Sequence, residues 1–355
     1  MPNSLLDIFV RLVKVYSPSG REENIAKLIL SEIDKYADAT EDSFGNIYAR
    51  IDGVGTPLFL CAHMDNVEPC DNIKPLIKNG LIQSDRTTVL GADNKAAVAA
   101  IIGMAQKISK SREQHRPIEL IFTRSEESGN YGAINFNYGL LEAKEGFCFD
   151  SVSKIGTIVS SSPTYERFDI SLIGKGAHAS KPQGSNNPIN GFISLQKEIK
   201  TGIISNDMMA NVGIVKIGSA RNAVPETVSI AGEMRSISNR DLSAYKAELR
   251  NSLKITLNKF KLSGSLKITR ENDGYKISGG ETILTHAING TRSIGARHNL
   301  IESWAVSDAN IFNAKGLRCI NLGDGVRNAH TIRESISVND LMRLERLMQA
   351  LSSGR

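Results

Sequence analysis

Over the first 160 residues, short apolar runs alternate with helical stripes, and this alternation constrains the fold more tightly than any other feature of the chain. The runs NIYARI, PLFLCAH, PIELIFT and EGFCFD are bounded by turn residues, as buried strands are. Leu5 to Tyr16 reads as a helix, and a second helix starting near Glu22 carries Ile25, Leu28, Ile29 and Ile33 on one stripe. The segment DNKAAVAAIIGMAQKI, between the second and third runs, reads as an Ala-rich helix. Strands alternating with helices predict a three-layer α/β domain with a largely parallel sheet. Near residue 163 the texture changes: RFDISLIG, NVGIVKIG, VSIAGEMRS and SLKITREN alternate apolar and polar residues, as strands with one wet face do. Helical segments at 188–200 and about 240–260 separate them, which predicts a four-stranded sheet with two helices on one face, a compact α+β unit. From ISGGE onward the α/β texture returns, with a helix around 282–293, another opening at SDANIFNAKG, the strand LRCINLGDG and the terminal helix VNDLMRLERLMQAL. The expected organisation is one α/β domain, residues 1–164 and 278–355, interrupted by an inserted α+β lid, residues 165–277.

Composition agrees with a two-domain globular chain: of 355 residues, 41% are hydrophobic and 23% charged, which excludes a disordered or collagen-like chain. The net charge of +5 is spread along the length, and the densest basic stretch, KISKSREQHR at 107–116, has no interleaved aromatics. Nucleic acid is therefore not expected as a partner. Cys61, Cys70, Cys148 and Cys319 form no CxxC pair, and three of them lie inside apolar runs, the usage of a reducing compartment. The amino terminus, MPNSLLDIFVRLVKVYS, places Asp7, Arg11 and Lys14 at helical spacing, so it reads as an amphipathic helix and not as a signal peptide. No run approaches the length of a membrane span, and the expectation is a soluble, cytoplasmic protein without membrane partners.

Five places put His, Asp or Glu where strands end, the edge at which open α/β sheets bind ligands. His63 and Asp65 follow PLFLCA; at i and i+2 on an extended chain they point the same way, so Asp65 can accept the second ring N–H of His63. A buried polar pair is the plainer alternative. Asp93 follows Gly91 at a sharp turn before a helix, where an N-cap is the plainer reading. Glu126 and Glu127 are adjacent carboxylates directly after PIELIFT and repel each other unless a cation lies nearby. Asp150 ends EGFCFD, and His330 follows the last strand in NLGDGVRNAHT. Three carboxylates and two imidazoles exceed the needs of one tetrahedral ion with a water site; they suit two divalent ions sharing one carboxylate, with zinc the leading choice. GKG at 174–176 is not followed by Ser or Thr, and no GxGxxG opens a helix, so a phosphate loop is excluded. His115, His286 and His298 lack a carboxylate partner within their motifs and read as surface or helix-face residues.

The ordered set HMD, GADNK, EESGNYGA, FD, GAHAS and NAHT resembles the dinuclear zinc peptidase family that contains peptidase T (tripeptide aminopeptidase), aminoacylases and glutamate carboxypeptidase. The resemblance spans essentially the whole chain, including the inserted lid, and is nearest to peptidase T-like proteins. It implies a zinc-exopeptidase-like fold and two zinc ions per subunit, with cobalt or manganese as possible substitutes. His63 and Asp150 would bind one ion, Glu127 and His330 the other, and Asp93 both, followed by a cis peptide bond to Asn94. Glu126 would be the general base for a metal-activated water, with Asp65 supporting His63. His178, in the lid, would reach across a lid-to-lid homodimer to complete the neighbouring site, against the plain reading of a surface turn histidine. Asn222 and Arg235 would hold a substrate carboxylate, against the plain reading of an exposed arginine on an amphipathic strand. Asp308 caps a helix or supports the site, and the cap is the reading adopted. The implied activity is hydrolysis of amide bonds in short peptides by an aminopeptidase. A carboxypeptidase, an amidohydrolase of acyl amino acids and, in another class, a non-catalytic binding protein are the alternatives. Ser125 stands where the commoner sequence has aspartate before the paired glutamates, which loosens assignment to a subgroup.

Overall fold

A computed structural model describes residues 4–111 and 113–353. Met1–Asn3, part of the amphipathic amino-terminal reading, and Arg112, in the basic stretch, lie outside the described residues. The chain divides into two compact units: a larger one of residues up to Ser161, Lys276–Ser303 and from Ser307 on, and a smaller one of Ser162–Tyr275 with Trp304–Val306.

In the larger unit, strands Ile118–Thr123, Leu58–His63, Glu145–Ser151 and Arg318–Gly323 lie side by side and parallel. Their middles are buried throughout, which is why they read as unbroken apolar runs. Ile47–Ile51 and Asp38–Glu41 extend the sheet antiparallel on one side; Thr157–Ser162 adds antiparallel to Arg318–Gly323 on the other and carries Asn299–Glu302 parallel to itself. The Ala-rich helix Ala92–Ile108 is buried from Ala92 to Ala105 and packs against Leu5–Val13 and Val338–Ser352. Small side chains at Ala96, Ala97, Ala99 and Ala100 permit that close approach. Ser4, with Asp7, closes a capping box at the start of the first helix. Because the register pairs His63 with Thr123 and Gly323 with Ser151, the carboxyl ends of the parallel strands meet along one edge.

The smaller unit holds an antiparallel sheet in the order Gly202–Ser205, Met208–Ile217, Thr227–Ser236, Thr164–Ile173, Ser263–Asn272, together with helices Pro188–Gln196 and Asn239–Phe260. Phe168, Ile170 and Leu172 alternate with exposed or half-buried residues and meet Leu242, Tyr245 and Leu249 of the long helix in one core. The four long strands thus gain a short fifth at the edge. Gly202–Ser205 carries too few residues to alternate legibly, and Ile203 in it is 83% exposed. Asn187 caps the shorter helix and Pro188 opens it. All four cysteines are buried free thiols, and no helix among the described residues is long and apolar enough to cross a membrane.

Candidate metal centre

Side chains from six segments converge at the carboxyl edge of the parallel strands. His63 ends Leu58–His63, and its Nδ1 lies 3.3 Å from Asp65 Oδ1, both residues being buried. Asp65 does more than face the ring: its carboxylate accepts the backbone N–H of Glu126 (3.0 Å) and of Glu127 (3.1 Å) and the Ser19 hydroxyl (2.6 Å). Burial works against its charge, but the His63 ring and these donors hold its carboxyl down at about 2.

Asp93 is not a helix cap. Gly91, at φ 72°, turns the chain, Asp93 and Asn94 depart from helical φ/ψ, and the bond between them is cis. A Cβ at Gly91 would come within 2.6 Å of Asn66 Nδ2, so both the turn and the close approach require glycine. The loop is fastened by Glu334, whose buried carboxylate accepts the N–H groups of Leu90 (2.8 Å), Gly91 (2.7 Å) and Asp93 (2.8 Å). Lys95, fully buried, donates to Asn66 Oδ1 at 2.7 Å from below.

The two oxygens of Asp93 face different histidines: Oδ1 is 3.3 Å from His63 Nε2 and Oδ2 is 3.3 Å from His330 Nε2. His63 Nε2 is also 3.5 Å from Asp150 Oδ1, while His330 Nε2 is 2.7 Å from Glu127 Oε1. Ligand atoms of His63, Asp93 and Asp150 lie within 4.8 Å of one another, as do those of Asp93, Glu127 and His330, and those of His63, Glu126 and Glu127. One carboxylate therefore joins two donor sets.

Residues 59–353 match peptidase family M20/M25/M40. The chain belongs to that family. Over 98% of its length it is 30% identical to the crystal structure of a tripeptidase from Staphylococcus aureus subsp. aureus Mu50, covering 96% of that chain with a TM-score of 0.95. It is 29% identical to aminopeptidase PepT from Bacillus cereus ATCC 10987, covering 98% of this chain and 97% of that one with a TM-score of 0.92. Among curated sequences it is 27% identical to the protein YqjE of Bacillus subtilis (strain 168) over 98% of this chain and 97% of that protein.

In this M20/M25/M40 peptidase the charges at the centre are interdependent. Burial alone would lower His63, but the carboxylates of Asp150, Asp65 and Asp93 hold it well above its ordinary 6.5. Contacts with Asp93 and Glu127 push His330 up to about 10. Burial pushes Asp150 up to about 7 and lifts Glu126 well above the ordinary range, with the Asp150 charge adding to the second. The carboxylates thus demand positive charge, which protons on the two rings or bound cations can supply. Hard oxygen and imidazole donors fit divalent first-row ions. Glu127 Oε1, sealed from solvent and without a well-directed hydrogen bond, is a ready ligand atom.

Glu126 is held by a relay. Asn130 Nδ2 donates to Glu126 Oε1 at 2.7 Å and to Asp308 Oδ1 at 3.0 Å, and Thr123 Oγ1 donates to Asp308 Oδ2 at 2.5 Å. The reading of Asp308 as a helix cap is corrected here: Ser307 is the N-cap and Asp308 the first helical residue, its side chain turned into this network. Ser125, at φ 50°, gives its N–H and hydroxyl to the fully buried carboxylate of Glu22 (2.9 and 2.8 Å), which also pairs with Arg124. Sequence reasoning passed over Glu22, Asn130 and Glu334; only the position of Glu334, four residues after His330, hinted at a role.

His178, Asn222 and Arg235 belong to the smaller unit. His178 is exposed on a two-residue strand paired with Ala223–Val224, its Nδ1 2.7 Å from Ser180 Oγ. With Asn222 it lines a concavity of about 780 Å³. Arg235 is half-buried, bonded to Glu233 and the Trp304 carbonyl and stacked 4.7 Å over Tyr165. His115 bonds the Arg116 carbonyl and His286 packs edge-on to Phe147, away from the donor clusters.

Proposed function

We propose that the chain is a dizinc aminopeptidase that hydrolyses short peptides in the manner of peptidase T. The observation that carries this reading is the division of Asp93 between His63 and His330. His63 and Asp150 would hold one zinc and Glu127 and His330 the other, with Asp93 available to both. When bound, the ions supply a water acidified from 15.7 toward about 7 and a Lewis acid for the substrate carbonyl.

Glu126 moves the proton. Asn130 occupies its Oε1, so Oε2 is the atom free to take a proton from the attacking water and return it to the departing amine. A carboxyl lifted above its ordinary range by burial retains that proton long enough to deliver it. His178, reaching across the dimer to the neighbouring subunit's site, binds the developing oxyanion through Nε2, since Ser180 engages Nδ1. Asn222 and Arg235 bind a substrate carboxylate, which displaces Glu233 from the guanidinium.

The functional species is a cytoplasmic homodimer joined through the smaller unit. Ile203, Ile214 and Val215, exposed on that unit, support the association, and four free thiols support the reducing compartment. A panel of di- and tripeptides with free or blocked termini, run beside acyl amino acids, tests the reading. Cleavage only with a free amino end is expected. Cleavage that instead requires a free carboxyl end, or is confined to acyl amino acids, would replace aminopeptidase by the corresponding activity.

A further inference from the structure

A cavity of about 1020 Å³ in the larger unit is lined by Lys154, Arg297, His298, Arg327, Arg343 and a single acid, Asp340. Asp340 is already engaged: it accepts the Ser337 hydroxyl at 2.7 Å at the start of the last helix and pairs with Arg327 at 3.2 Å. Lys154, Arg297 and Arg343 then have no ion-pair partner among the described residues. Like charges gathered around a concave surface raise the local potential and attract anions, and guanidinium forks match the geometry of a carboxylate.

Two stretches of the cavity wall lie close along the chain to residues of the metal centre. Val152, in its wall, follows Asp150 by two residues, and Asn328 precedes His330 by two. Two residues of chain reach at most about 7 Å. An extended peptide advances about 3.4 Å per residue, so this part of the wall lies within the span of one or two substrate residues from Asp150 and His330.

We infer that this cavity is a specificity subsite that takes an acidic side chain of the peptide substrate. The inference rests on the peptidase reading above and adds a substrate class to it: short peptides bearing Asp or Glu near the scissile bond.

The test uses the zinc-loaded full chain carrying Glu126→Gln, so that peptides bind without being consumed. Calorimetry compares tripeptides of alanine containing Glu or Gln at each position in turn. At one position the Glu peptide binds about tenfold more tightly than the Gln peptide, the scale of one charge-assisted contact. Adding Arg297→Ala with Arg343→Ala reduces that ratio to about twofold or less and leaves the Gln peptide unchanged. Lys144→Ala with Arg346→Ala, an equal loss of charge on exposed residues outside the cavity, preserves the ratio. Equal affinity for Glu and Gln at every position, or a preference that survives removal of Arg297 and Arg343, would overturn the inference. So would binding of inorganic phosphate that Arg297→Ala and Arg343→Ala abolish, without discrimination among peptides, since the cavity would then serve a free anion. Hydrolysis of alanine tripeptides by the wild-type chain is measured beside these. Turnover without charge preference removes the subsite alone, and charge preference without turnover removes the catalytic reading alone.

Discussion

Replacing Glu334 with glutamine should loosen the loop that carries Asp93 while leaving almost every atom in place. The carboxylate accepts Leu90 and Gly91 N–H through one oxygen and Asp93 N–H through the other. A glutamine oriented to keep the first pair turns its NH2 group toward the Asp93 N–H, donor against donor. Stranding that buried donor costs about 1–3 kcal/mol, and converting the two remaining bonds from charged to neutral costs about 1 kcal/mol each. The sum is about 3–5 kcal/mol of local stability. Burial pushes the Glu334 carboxyl up to about 7 against the pull of its N–H donors, so the comparison belongs at pH 8, where the wild-type side chain is charged. Native-state hydrogen exchange of the 88–95 segment reads the change directly: amide protection should fall by about 10²-fold to several thousandfold, at 1.4 kcal/mol per tenfold. Glu334→Ala, which strands all three donors, should fall further. Protection within about threefold of wild type in both variants would refute the claim that Glu334 fastens the loop.

The remaining expectations concern the centre itself. Glu126→Gln keeps its metal by elemental analysis and loses kcat by about 10²–10⁴-fold, the range for a lost general base; near-normal turnover removes it from that role. Asp308→Asn disturbs the relay that orients Glu126 through Asn130, lowering kcat about tenfold at unchanged metal content and little-changed KM; a change in KM alone would point to packing instead. His330 stands at about 10 in the metal-free fold against an ordinary 6.5, so its ion pairs stabilise that form fully below pH 6.5 and are lost as pH rises through about 10. A metal must displace this proton and the one on His63, so joint affinity for two zinc ions should rise about a hundredfold from pH 7 to pH 8 in chelator competition; a flat profile contradicts the charge assignment.

Much of this was legible because the chemistry sits at the ends of strongly patterned elements. The parallel strands announce themselves as apolar runs since both faces are covered; His63 and Asp150 lie at their carboxyl ends, and Glu126 and Glu127 follow within a few residues. Asp65 could be read from i, i+2 spacing alone. What stayed hidden acts through backbone amides of loops remote in sequence: Glu22 reaches Ser125 across 103 residues and Glu334 reaches Asp93 across 241. No periodicity encodes such a contact. Asp308 was misread because Ser307 and Asp308 are both acceptable caps, and only the approach of Thr123 and Asn130 shows which side chain turns inward. The short edge strand Gly202–Ser205 escaped notice because four residues carry too little alternation to set a period.

The central claim is that Asp93 joins two metal sites, one against His63 and Asp150 and the other against Glu127 and His330. Anomalous diffraction from zinc-soaked crystals at the zinc edge tests it most directly. Two peaks about 3.5–4 Å apart, one on each side of the Asp93 carboxylate, are predicted. A single peak, or two peaks too far apart for one carboxylate to reach both, would contradict it.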